Sequence, residues 1–97
     1  MTQKETTNII IKLKDRSMKS EAAEKARSIF EKTLCIEGIK SVEVRENCVD
    51  RPNRFDVMIE MEMEPEALAL YDPSDAHKEW KRWCDPLLEA KTVFDCE

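Results

Sequence analysis

The chain is 97 residues long, 41% hydrophobic and 38% charged, with a net charge of -5 and a single glycine. That length and apolar content suffice for one folded domain, residues 1–97, without disulfide or metal staples, and the charge mix argues against disorder. The acidic balance and the short Lys12, Lys14, Arg16 run exclude a basic nucleic-acid-binding surface, and one glycine excludes a glycine-rich phosphate loop.

No apolar run approaches a membrane span, and the polar MTQKETTN start carries no apolar signal core, so a cytoplasmic protein is expected. Cys35, Cys48, Cys84 and Cys96 form no CxxC pattern and read as reduced, partly buried thiols.

Asn8–Lys14 alternates as a strand, with Ile9, Ile11 and Leu13 on one face and Ile10 on the other with Asn8, Lys12 and Lys14. Asp15–Lys19 is a turn. Ser20 is a plausible N-cap for a helix running to about Leu34, with Ala22, Ala26, Ile29, Phe30, Thr33 and Leu34 on one stripe. Gly38 closes that element in a turn. Ile39–Glu46 is a second strand, Asn47–Asn53 a loop, and Arg54–Glu64 a third strand. The third strand places Phe55, Val57, Ile59, Met61 and Met63 on one face and Asp56, Met58, Glu60, Glu62 and Glu64 on the other. The short loop before it predicts an antiparallel hairpin.

EPEALALY reads as a short helix, which Pro73 breaks. Ser74 or Asp75 caps the next helix, whose stripe is Ala76, Trp80, Trp83, Cys84, Leu87 and Leu88, bent or ended near Pro86. Ala90–Cys96 is the closing strand. The order β-α-β-β-α-β is the ferredoxin-like arrangement, an α+β fold with a four-stranded antiparallel sheet and both helices on one face. The first and third strands, being most apolar, belong at the centre.

This layout leaves a bare sheet face carrying Ile10, Met58 and Val93 or Phe94. A two-fold homodimer with the sheets face to face covers it and closes a barrel between the chains. Lys12 and Lys14 would pair with Asp56, Glu60 or Glu62 inside. These carboxylates favour a salt-bridge ladder over a Mg²⁺ or Ca²⁺ site, and with one His and scattered Cys no metal or other cofactor is expected. A solvated face on a monomer is the alternative.

The segment Tyr71–Trp83 holds the only Tyr, the only His and both Trp. On one straight helix Tyr71 and His77 would point apart, but the break at Pro73 lets them converge. Histidine is the residue type that titrates near neutrality, so His77 is a candidate general base and Tyr71 a hydrogen-bond donor to a developing enolate. The plainer alternative has His77 as an N-terminal helix residue and Tyr71 as a core cap. Trp80 and Trp83, with Phe30, Ile59, Met61 and Leu68, would line an apolar chamber for a small apolar or aromatic molecule, or else simply fill the core.

In this order and spacing, NIIIKLKD, GIKSVEV, RFDVMIEMEM, Tyr71-x5-His77 and TVFDCE resemble the stress-responsive A/B barrel (Dabb) family over nearly the whole chain. The resemblance implies a dimeric α+β barrel. Many members have no known activity. A plant member closes a linear polyketide by aldol condensation without a cofactor, using a Tyr and a His at the spacing of Tyr71 and His77. That implies an alternative role for this chain as a cofactor-independent cyclase or proton-transfer enzyme; a further alternative is a non-enzymatic stress-related or structural oligomer. The family's His-Pro-x-His is here Ser74-Asp75-Ala76-His77, so the first His and its Pro are absent. Small heme-degrading and antibiotic-biosynthesis monooxygenases share the barrel, but no motif singles them out.

Overall fold

In the computed structural model, residues 4–97 are described. The elements are β1 (Glu5–Leu13), α1 (Lys19–Glu31), β2 (Ile39–Glu46), β3 (Val57–Met63), α2 (Ala67–Tyr71), α3 (Asp75–Cys84) and β4 (Leu88–Cys96). All strand pairings are antiparallel, in the order β2-β3-β1-β4, so the two most apolar strands are central as their composition requires. The fold is the ferredoxin-like α+β arrangement, with α2 as a short extra helix before α3.

Strict alternation builds the core. Ile9, Ile11 and Leu13 of β1 and Val57, Ile59, Met61 and Met63 of β3 are buried on one sheet face. Ala22, Ala23, Ala26, Ile29 and Phe30 of α1 and Ala76, Trp80 and Cys84 of α3 close over them. Three alanines on α1 let that helix lie close to the sheet. Gly38 (φ 93°) turns the chain into β2, and a Cβ there would sit 3.0 Å from the Ala67 Cβ, so this glycine also lets α2 dock.

Several boundaries differ from the sequence reading. Ser20 does not cap α1. A 3₁₀ turn over Arg16–Met18 leads into the helix, and Asp15 caps that turn by accepting the Ser17 N–H at 3.0 Å. Ser20 instead donates to Glu46 at 2.8 Å. A second 3₁₀ turn, Lys32–Cys35, extends α1, burying Thr33 but leaving Leu34 exposed. Leu88 belongs to β4 rather than to the α3 stripe, because Pro86 sits in a 3₁₀ turn, Asp85–Leu87, that ends the helix.

The largest departure is Asp56. It was expected on the wet face beside Glu60 and Glu62, but it is buried. Regular β3 pairing starts only at Val57, and the backbone N–H groups around Asp56 are redirected. Asp56 N donates to the Ile11 carbonyl at 2.7 Å although Val57 is the register partner of Ile11. The Asp56 carboxylate accepts from Leu13 N at 2.8 Å and from Arg16 Nε at 2.9 Å. Arg16 also donates to the carbonyls of Arg51 and Arg54, both at 2.7 Å, so one guanidinium ties the 47–56 loop to the end of β1. Within one chain, and among the described residues, neither Lys12 nor Lys14 pairs with Asp56, Glu60 or Glu62. Lys12 pairs with Glu89 at 3.1 Å, Glu60 with Arg45 at 3.2 Å and Glu62 with Lys4 at 3.0 Å.

The opposite sheet face carries no helix. Strand register puts Ile10, Met58 and Arg45 in one row there and Asn8, Glu60 and Phe94 in the next. Phe94, 60% exposed, is therefore the apolar residue of β4 on that face, whereas Val93 pairs with Ile9 on the helix side.

Candidate functional site

The break between α2 and α3 brings Tyr71 and His77 together. Asp72 N bonds the Leu68 carbonyl at 3.0 Å to end α2, Pro73 prevents continuation, and Ser74 N returns to the Tyr71 carbonyl at 2.9 Å. Ser74 then caps α3, its hydroxyl accepting from His77 N at 3.2 Å, which fixes His77 in the first turn. The ring centroids of Tyr71 and His77 lie 4.7 Å apart.

His77 Nδ1 lies 2.7 Å from the Asp72 carbonyl oxygen. A carbonyl only accepts, so Nδ1 carries the hydrogen and the neutral ring keeps its lone pair on Nε2. Tyr71 is its complement. It is 3% exposed, and its hydroxyl is the buried side-chain polar atom without a hydrogen-bond partner among the described residues. Burial, reinforced by the Asp72 carboxylate, pushes its phenol far above the ordinary value. Tyr71 thus remains a protonated donor, and His77 is oriented as an acceptor.

Both side chains reach a cavity of about 210 Å³ bounded by β1, β4, α2 and α3. Ile9, Leu68, Trp80 and Val93 form its apolar wall, and Thr7, Asp72, Lys81, Lys91 and Asp95 bring polar groups to it. The cavity exists because the helices cover β1, β2 and β3 but leave β4 largely uncovered; no residue of β4 is buried.

Of the residues picked out in the sequence, Tyr71, His77, Leu68 and Trp80 meet at this cavity. Phe30, Ile59 and Met61 do not line it. They are sealed in the core, with Phe30 backing the wall through ring contacts to Trp80 (5.4 Å) and Tyr71 (6.2 Å). Trp83 stacks on Trp80 at 5.8 Å from outside the lining. Lys81, Lys91, Asp95 and Thr7 were not anticipated. The signal for Lys81 was its spacing of four residues from His77; for Lys91 and Asp95 it was their shared face with Val93.

Among the described residues no group of three or more His, Cys, Asp or Glu is placed to hold a metal, and no helix is long and apolar enough to cross a membrane. Cys35, Cys48 and Cys96 are exposed free thiols, and Cys84 is buried.

A family model described as the stress responsive A/B barrel domain matches residues 8–97. No curated protein matches the sequence. Solved structures agree on the fold. A dimeric protein of unknown function with a ferredoxin-like fold from Bacteroides fragilis superposes with a TM-score of 0.79 at 16% identity, covering 100% of this chain and 99% of that one. A Dabb family protein from Mesorhizobium loti gives a TM-score of 0.74 at 17% identity, with 97% and 95% covered. A candidate antibiotic biosynthesis monooxygenase from Nitrosomonas europaea gives 0.78 at 15% identity, with 99% and 90% covered.

Proposed function

The chain belongs to the stress-responsive A/B barrel domain family, and from that premise we propose that it is a small homodimer that binds an apolar or aromatic molecule in the cavity beneath α3. The observation that carries this reading is a buried phenol with no partner beside a histidine held in one tautomer, both on an apolar cavity. A buried hydroxyl left unsatisfied costs about 1–3 kcal/mol, and a ligand oxygen at Tyr71 would remove that cost. The cavity is smaller than a drug-sized pocket, so it suits a molecule of one or two rings.

Binding is tested by quenching of tryptophan fluorescence with 2-naphthol, since Trp80 lines the wall. Saturable quenching that weakens in Tyr71→Phe supports the reading; the absence of saturation overturns it.

The same geometry suits proton transfer. Nε2 of His77 would take a proton from the carbon next to a ligand carbonyl, the C–H electron pair would become a C=C bond as the carbonyl π pair moves onto oxygen to give an enolate, and Tyr71 would donate a hydrogen bond to that oxygen. Cofactor-independent cyclisation requires such a step. Deuterium uptake by phenylacetone in D₂O, followed by proton NMR, tests it directly. Exchange faster than buffer and lost in His77→Gln supports catalysis; equal rates in the two proteins leave binding or assembly as the function.

The uncovered sheet face supports the dimer. Ile10, Phe55 and Met58 border a hollow of about 260 Å³ on that side, and Phe94 projects from β4 on the same face. Two-fold packing would set the Phe94 of each copy over the hollow of the other, an isologous contact. Light scattering should give twice the protomer mass of 11.4 kDa, and Phe94→Lys should shift it toward monomer. A monomeric parent at micromolar concentration would sink the dimer, and with it the structural-oligomer alternative.

A further inference from the structure

The polar groups around the cavity are sorted by sign along its length. Only the three residues Asp85–Leu87 separate α3 from β4, so the chain doubles back and the C-terminal end of α3 lies beside the start of β4. Lys81 and Lys91, which line the same cavity, therefore sit toward the same end. Lys91 also acts electrostatically on Cys84 in the last turn of α3, as this placement requires. Asp95 is four residues further along β4, roughly 13 Å away at strand rise, and Asp72 precedes α3 beside Tyr71.

The two signs are also differently engaged. Asp95 accepts from the buried Thr7 hydroxyl at 2.7 Å. Neither Lys81 nor Lys91 is within ion-pair distance of a carboxylate among the described residues, although Asp85 is one helical turn beyond Lys81 and Glu89 is two residues from Lys91. Glu89 is taken by Lys12. Two uncommitted ammonium groups thus sit together on a cavity with an apolar wall, and the hydrogen-bonding Tyr–His pair begins one helical turn from Lys81.

We propose that the cavity selects an aromatic carboxylate, with the carboxylate on Lys81 and Lys91 and the ring against Trp80, Leu68 and Val93. This rests on the cavity being the binding site and adds the charge of its ligand. In this pose the far edge of the ring reaches Tyr71 and His77, so a ring oxygen there meets a donor and an acceptor at once. A neutral molecule of the same size would leave the lysine end without a partner.

Paired probes test it: 2-naphthoate, ionised at pH 7, and 2-naphthol, neutral at that pH, titrated by tryptophan quenching against the full chain. The naphthoate should bind tighter by up to about fivefold for each lysine engaged, the upper size of an exposed ion pair. Its advantage, read as the ratio of naphthoate to naphthol affinity in the same protein, should shrink in added salt and vanish in the doubly substituted Lys81→Met, Lys91→Met protein. Both lysines are exposed, so the substitutions leave the core intact. Equal affinity of the two probes in the parent, or an advantage that persists in the double variant, overturns the charge selectivity while leaving the cavity reading intact. Failure of both probes to quench overturns the cavity reading itself, and the selectivity with it.

Discussion

Asp56 and Tyr71 are both polar side chains only 3% exposed, and the fold treats them oppositely. Asp56 is buried with its partners supplied, a backbone N–H from β1 and the Arg16 guanidinium. Tyr71 is buried with its hydroxyl unanswered. The first lies where β3 joins its loop, and its hydrogen bonds hold chain to chain. The second belongs to a residue that lines a cavity, and its bond is unmet within the described residues. A satisfied buried polar group marks where a structure is tied; an orphaned one marks where it can receive.

Breaking the tie should have the largest effect. Asp56→Ala leaves the Leu13 N–H and the Arg16 Nε–H without their acceptor. Removing one partner of a buried pair costs roughly 3 kcal/mol or more. At about 4–8 °C per kcal/mol for a domain of this size, the thermal midpoint should fall by well over 10 °C. A loss under about 1 kcal/mol in urea titration would show that the pair is dispensable, against the range expected for such pairs.

Tyr71→Phe should move the other way. It deletes an unsatisfied hydroxyl and keeps the ring against Phe30, so stability should stay level or rise by about 1 kcal/mol while naphthol affinity drops several-fold. Opposite signs for stability and binding in one variant would be the signature of a group kept for a ligand. A loss of stability would instead mean that the hydroxyl has a partner in solution.

Alkaline titration is expected to act more gently. Burial, with a smaller contribution from Asp85 and an opposing one from Lys91, pushes the Cys84 thiol from 9.0 up to about 11. Above pH 9 the unfolded chain gives up this proton while the folded chain keeps it, so stability falls as pH rises through 9 to 11. Tyr71 acts with the same sign at higher pH, because its folded value is also raised. Denaturant midpoints should decline over this window, with a shallower slope in Cys84→Ala. A flat profile would contradict the burial of these groups. The smallest stability effect belongs to His77→Gln: at a half-buried site the midpoint should change by under about 0.5 kcal/mol, while any proton exchange is lost.

The comparison also shows what a sequence displays and what it hides. Period-two alternation in Ile9–Leu13 and Val57–Met63 announced the two central strands, Gly38 and Ser74 announced a turn and a cap, and the break at Pro73 announced the meeting of Tyr71 and His77. Those are local signals, each encoded within a few residues. Asp56 was misplaced because its partner, Arg16, is 40 residues away and alternation assumes that the strand continues through it. Leu88 was misplaced because the helical stripe was extended through Pro86. Phe30, Ile59 and Met61 have the right chemistry for a chamber, but whether an apolar side chain lines a hollow or fills the core depends on how far the helix layer is offset from the sheet. No short stretch of sequence encodes that offset.

β4 carries one more consequence. Val93 faces the cavity and its neighbour Phe94 faces the opposite side, where a second copy would rest. One peptide unit on an edge strand thus answers to two contacts. In the proposed dimer, a molecule against Val93 and a subunit against Phe94 act on the same backbone, which gives their free energies a route to linkage. The linkage is reciprocal: whatever factor the ligand contributes to self-association, self-association must return to the ligand. Where that factor exceeds one, dilution weakens the hold on the small molecule, and the concentration of the protein itself helps set how much of it is bound.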